Sequence, residues 1–364
     1  MVESKNNYTL SQDARIFYNG QDEIRIRKGI WNYVEATLTL AGQRDEVKQI
    51  FIQIFYELNE GKVVDLESTS DRFSLNAEQR NQIFQVMETL KQQFYLKGTE
   101  EQYAERVIAS MFGGVYQSNE FILMKPDPAL VITDSIYSQK IAKQIANEMN
   151  YAIEIMDEKT FNELSIIDLT TKTDAFETIK KIEQMEKVIA PYSVVIGCLE
   201  KPSIAFLRNL NRVLIKAEKP FVLSMIDGPF FTFLTINPPQ TGCFECYENR
   251  LMARMENLAV YQNFVKSTET ALDGVKSSFI NPLLHVLIGI VLAEGYMIST
   301  INCAKSVGRV VNVYLPVVEI QVQDLLRAPY CPACGFVAKS EVTELFTSSK
   351  MIVNKLLDSI NLKD

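Results

Sequence analysis

Apolar positions recur at helical spacing in two early stretches of the chain. From Arg44 to Leu58 they are Val47, Ile50, Phe51, Ile54 and Leu58, with Gly61 closing the segment, which predicts an amphipathic helix. A second helix is predicted from Ala77 to Phe94, with Ile83, Phe84, Met87, Leu90 and Phe94 on one stripe. Upstream the period changes. Arg15 to Tyr18 runs into Asn19-Gly20 and then Glu23 to Arg27, the pattern of a two-stranded hairpin. After Gly29 the aromatic and β-branched run from Ile30 to Leu38 suits a third strand. Residues 63 to 73 read as a short helix and loop. Strands followed by helices in this order predict a small winged helix-turn-helix module over residues 1–97.

Gly98 and Gly113-Gly114 break any long period across residues 98–120, which read as a connector. Residues 121–364 then read as a second domain. Ala129 to Thr133 is an apolar run of the kind buried in a parallel sheet, and a helical pattern follows from Ser138 to Met149. The alternation continues with strands at 151–156, 193–197 and 221–225 and helices at 175–187 and 204–217, which predicts a doubly wound α/β sheet. Asp227-Gly228-Pro229 reads as a turn.

Composition narrows the function classes. With 364 residues, 47% of them hydrophobic, the chain can fill two or three cores. Its 45 acidic against 37 basic residues give a formal charge of -8, which repels nucleic acid and anionic membrane surfaces. The first residues are polar and lack the apolar core of a secretory signal, so a cytoplasmic protein with reduced cysteines is expected. Residues 279–298 are apolar enough to raise the question of a membrane span, but Asn281, His285 and Glu294 interrupt them. A buried core helix is the expectation there.

Four of the six cysteines form two hooks of equal spacing, Cys243-Phe-Glu-Cys246 and Cys331-Pro-Ala-Cys334. Each can present two thiolates through a tight turn, and together they complete a four-sulfur structural zinc site. Redox chemistry at a single pair and plain buried thiols are the competing readings. Cys198 and Cys303 stand alone in apolar surroundings and read as core residues. His285, the one histidine, sits among leucines and valine and reads as a core side chain rather than a catalytic one.

The stretch from Ser193-Val-Val-Ile-Gly197 through Leu210-Asn211-Arg212 and Lys219-Pro220-Phe-Val-Leu223 to the first hook resembles the adenylating domains related to ubiquitin-activating enzymes. Tyr330-Cys331-Pro-Ala-Cys334-Gly335 fits the second hook of that family. An active member carries a glycine-rich turn after the first strand, where backbone amides meet the phosphates. This chain has Thr133-Asp134-Ser135-Ile136-Tyr137-Ser138 instead, without a glycine. Glu154 and Asp157 are the candidates for an acidic ribose contact, and either is as well read as a surface charge.

A disabled domain of this type behind a winged-helix module is similar to the partner subunit of azoline-forming cyclodehydratases of the streptolysin-S-like type. The resemblance implies a ThiF-like scaffold that makes no catalytic contribution of its own. It implies that the first module binds the leader of a ribosomal precursor peptide as an added strand, with Trp31, Tyr33, Val34, Arg80, Ile83, Phe84 and Met87 lining the groove. It also implies a separate YcaO-type ATP-dependent subunit, a flavin dehydrogenase as a further partner, and a homodimer within the complex. For each apolar groove residue, a place in the module's own core is the competing reading. An active adenylating enzyme acting on a peptide or carrier-protein terminus is the alternative function.

Overall fold

The computed structural model describes residues 7–98 except 12 and 21, residues 107–108 and 111, and residues 126–170, 175–269 and 282–336. The chain divides into two compact units, Met1–Leu123 and Met124–Asp364.

The first unit begins with a strand that the sequence reading does not contain, β1 (Asn7–Leu10). It pairs with β5 (Val64–Asp65) and β6 (Leu96–Gly98) in a small antiparallel sheet ordered β5-β1-β6. A second sheet joins β2 (Ala14–Tyr18), β3 (Glu23–Lys28) and β4 (Val34–Thr39) in that order. Its hairpin turns at Asn19-Gly20, where Gly20 takes a φ of 76°. Three helices complete the unit: α1 (Asp45–Asn59), α2 (Leu66–Arg72) and α3 (Ala77–Gln92). The starts of α2 and α3 are locally encoded. The Asp65 carboxylate accepts from the amides of Glu67 and Ser68, and Asn76 with Gln79 forms a reciprocal capping box. Ile16, Ile24 and Ile26 pack with Phe51, Ile54, Phe55, Ile83 and Met87 in one core.

The third strand is shorter than its propensities suggest. Gly29 takes a φ of 86°, and the chain turns through residues 29–33, so Trp31 and Tyr33 precede β4 rather than lie in it. A β-carbon at Gly29 would stand 2.5 Å from the Asn32 carbonyl oxygen, so this turn depends on glycine.

The second unit is built on one seven-stranded sheet, ordered β13-β12-β11-β10-β9-β7-β8. The strands are β7 (Ala129–Thr133), β8 (Ile153–Ile155), β9 (Val194–Leu199), β10 (Phe221–Asp227), β11 (Phe230–Ile236), β12 (Arg309–Tyr314) and β13 (Glu319–Asp324). The expected parallel sheet covers its first half only. β8, β7, β9 and β10 are parallel, whereas β10 to β13 form an antiparallel meander. The reversal begins at Gly228-Pro229, the turn expected there, because Asp227 pairs with Phe230 across a tight hairpin.

Helices cover both faces. The sequence of helices is α4 (Ile136–Glu148), α5 (Glu158–Ile166), α6 (Ala175–Ile189), α7 (Ile204–Ala217), α8 (Phe244–Met252), α9 (Leu258–Glu269) and α10 (Leu283–Ile301). On one face Phe206, Leu207 and Leu210 of α7 pack with Val195, Phe221 and Leu223 of the sheet. On the other, α10 lies against β9, β10 and α4. Gly295 makes that approach possible, since a β-carbon there would collide with Ile196.

α10 is long and apolar enough to cross a membrane, but two thirds of its most apolar window is buried within the protein. It is a core helix, as expected. Glu294 is 6% exposed on it and accepts hydrogen bonds from the Ser306 amide and hydroxyl, at 2.9 and 2.5 Å. His285 corrects the sequence reading. Leu284, Leu287, Ile288 and Val291 carry the buried stripe of α10, and His285 is exposed on the opposite side. Cys303 is exposed as well, whereas Cys198 is buried as expected.

Candidate metal centre and the strand-end turn

α8 begins immediately after Cys243, so the first hook places Cys243 and Cys246 at the start of a helix. The second hook is a tight turn in which the Gly335 amide donates to the Cys331 carbonyl at 2.8 Å. Gly242 brings the two together. Its amide donates to the Leu325 carbonyl, and a β-carbon there would lie 2.8 Å from the Leu326 oxygen.

All four thiols are buried and free of disulfides, with their sulfurs within 4.8 Å of one another. Four sulfurs placed 2.3 Å from one central ion stand about 3.8 Å apart. The Sγ separations here are 3.8 Å for Cys243 and Cys246, 3.6 Å for Cys243 and Cys331, and 3.4 Å for Cys246 and Cys334. The donor set therefore fits a tetrahedral metal ion, and the sequence-predicted ligands are brought together. Hydrogen bonds shared among the four sulfurs lower the Cys246 and Cys331 thiols and raise that of Cys243. The Ala328 amide also donates to the Cys246 sulfur at 3.3 Å, which supports the thiolate form.

Around the sulfurs lies a polar shell that sequence spacing does not announce. Arg212 donates from Nε and Nη2 to the two carboxylate oxygens of Glu245, at 2.8 and 2.9 Å. One turn earlier on α7, Arg208 makes the same two-pronged contact with Glu248 at 2.9 and 2.6 Å. Asn211, between them, accepts from the Phe244 amide at 3.0 Å. Burial raises the Glu245 carboxyl, and Arg212 opposes that shift. Arg327 donates to the Cys334 carbonyl at 3.1 Å through Nε.

The glycine-free turn after β7 is built differently. Asp134 points its carboxylate across to the loop after β9, accepting from the amides of Glu200 and Lys201 at 2.9 and 2.7 Å. Burial raises this carboxyl above the usual range, against the pull of those amides. Ser135 precedes α4, and its buried hydroxyl has no hydrogen-bond partner among the described residues. The acidic candidates for a ribose contact have other occupations: Glu154 accepts from the Tyr192 hydroxyl, and Asp157 caps α5 through the Thr160 amide.

The seven residues expected to line a leader groove separate by burial. Trp31 is 88% exposed, and Tyr33, Val34 and Phe84 are also at the surface. The Tyr33 ring carries the Arg27 guanidinium 3.8 Å above its centre, and Arg27 is held by Glu35 at 2.6 Å. Arg80 is exposed beside Glu67. Ile83 and Met87, at 2% and 0% exposure, are core side chains and offer a peptide no surface; their place in that helical stripe is a packing position. Among the described residues β4 pairs with β3 alone, which leaves its second edge free.

No family model matches the chain, and no curated protein does. Solved structures do match. A heterocyclase in complex with substrate and cofactor aligns over 91% of this chain at 13% identity, with a TM-score of 0.57. The heterocyclase TruD aligns over 91% at 14% identity, also at 0.57. This chain shares the fold of the heterocyclases. It spans 40% and 43% of the length of those two chains. MccB of Escherichia coli with ATP aligns over 90% of this chain and 100% of its own, at 13% identity and a TM-score of 0.48.

Proposed function

We propose that this chain is the non-catalytic, leader-binding subunit of a thiazole- or oxazole-forming peptide cyclodehydratase, serving bacteriocin-like natural-product biosynthesis in the cytoplasm. In this reading residues 1–97 are a winged-helix recognition module, residues 98–120 a connector, and residues 121–364 a ThiF-like domain held by structural zinc on the four cysteines. The observation that carries the non-catalytic reading is the Asp134 carboxylate on the Glu200 and Lys201 amides. At the carboxyl ends of a parallel sheet, where such folds take ligands, those two donors are already satisfied by an internal anion.

The precursor leader adds a strand along the free edge of β4, where main-chain hydrogen bonds supply affinity and alternate side chains supply selectivity. Trp31, Tyr33, Val34, Arg80 and Phe84 are the residues with surface to contribute. A YcaO-type subunit then performs the ATP-dependent cyclisation of Cys, Ser or Thr, with a flavin dehydrogenase acting afterwards and the chain working as a homodimer. The alternative is an active ATP-dependent adenylating enzyme acting on a peptide or carrier-protein terminus.

Reconstitution separates the two. The purified chain alone should neither consume ATP nor dehydrate a precursor peptide, and both activities should appear when the YcaO-type subunit is added, as a loss of water in the peptide mass. Release of AMP and pyrophosphate by the chain alone would establish the adenylating reading instead.

A further inference from the structure

We propose that Arg212 is a positioning residue of the metal centre, one guanidinium that holds both cysteine hooks at once. The inference rests on the metal reading of the four cysteines and assigns a role that the ligand pattern does not contain.

Three donors of one planar group point three ways. Nε and Nη2 take the carboxylate of Glu245, inside the first hook, and Nη1 donates to the carbonyl of Pro332, inside the second, at 2.7 Å. Arg212 and Pro332 are 120 residues apart, so this contact fixes the distant hook to α7. The pair is largely buried, with side-chain exposures of 14% and 7%. A guanidinium suits the task because its donors form a rigid fork, whereas a lysine ammonium is a single point on a flexible stem. Its positive charge also lies beside a cluster that carries net negative charge when four thiolates hold one divalent ion.

Arg208 supplies an internal control. It makes the same two-pronged contact with a carboxylate on α8, that of Glu248, but no contact with the second hook is recorded for it among the described residues. If Arg212 merely fastens α7 to α8, the two arginines are equivalent. If it positions the hooks, only Arg212 governs the metal.

The test is zinc affinity of the full chain by competition with a chromogenic chelator, together with the cobalt spectrum of the metal-exchanged protein. R212M should weaken zinc by about 10–100-fold, the usual range when a contact that orients a metal site from outside its ligands is lost, while R208M stays within about threefold of the parent. The cobalt bands of a tetrahedral four-sulfur site should persist in both, because the ligands themselves are intact. R212K, which keeps the charge, should fall between them and decides the matter if R212M does not fold. Equal affinities for R212K, R212M and R208M would overturn the positioning role and leave the metal reading standing. A parent chain that binds no zinc would remove both.

Discussion

The second unit has two loop clusters built to opposite ends. At the cysteine cluster four sulfurs lie within 4.8 Å of one another, and the surrounding arginines, amides and glycines hold them there. At the turn after β7 the Glu200 and Lys201 amides of the neighbouring loop are spent on Asp134, and Ile136 and Tyr137 follow it at the start of α4. One cluster is arranged to fit an ion, whereas the other turns a carboxylate of its own onto the amides of the neighbouring loop.

The largest effect that would sharpen this contrast comes from the metal ligands. Cys331→Ser should reduce bound zinc from one per chain to none and lower stability by at least about 4 kcal/mol, through loss of a metal-closed loop. Metal analysis with thermal unfolding, with and without chelator, reads both. An unchanged unfolding midpoint would show that the cluster is four buried thiols.

The groove proposed for the first unit can be broken next. Met87→Ala should cost about 2–5 kcal/mol as a core truncation. Trp31→Ala should stay within about 0.5 kcal/mol of the parent in stability, yet weaken leader binding measurably. Denaturant melts beside leader titrations check this, and leader affinity indifferent to Trp31 would move the groove elsewhere. Trp31 is the one tryptophan of the chain, so its emission reports directly on that surface.

The smallest effect is electrostatic. Burial raises the Asp134 carboxyl above its ordinary 3.8, so the folded state holds this proton more tightly than the unfolded chain. Its contribution to stability is fully present below 3.8 and is lost as pH climbs through the raised folded value. Asp134→Asn should flatten that part of the stability profile, measured by denaturant unfolding across acidic pH. A profile identical to the parent's would mean that burial does not hold a proton on Asp134 in the folded state.

Much of this architecture is legible in sequence, for local reasons. The hooks are two residues wide, and thiolate chemistry leaves few other uses for the pattern. The parallel strands are short apolar runs between amphipathic helices, and β7 and β9 are indeed buried throughout. β13 escapes such a reading because it is exposed at every position and so leaves no buried face to detect. His285 misleads because its sequence neighbours are apolar, while the helix turns it to the opposite side. Trp31 and Tyr33 have strand propensity, but Gly29 commits the chain to a turn first. The Arg212 and Asp134 contacts join residues 33 to 120 positions apart, for which no local spacing exists.

The central claim pairs a sealed strand-end turn in the second unit with proposed leader binding by the first, and one titration addresses it. The purified full chain would be titrated with ATP and, in the same format, with a fluorescent leader peptide encoded beside its gene. Saturable leader binding with no ATP binding is the predicted result; ATP binding accompanied by pyrophosphate exchange would contradict it and make the chain an adenylating enzyme.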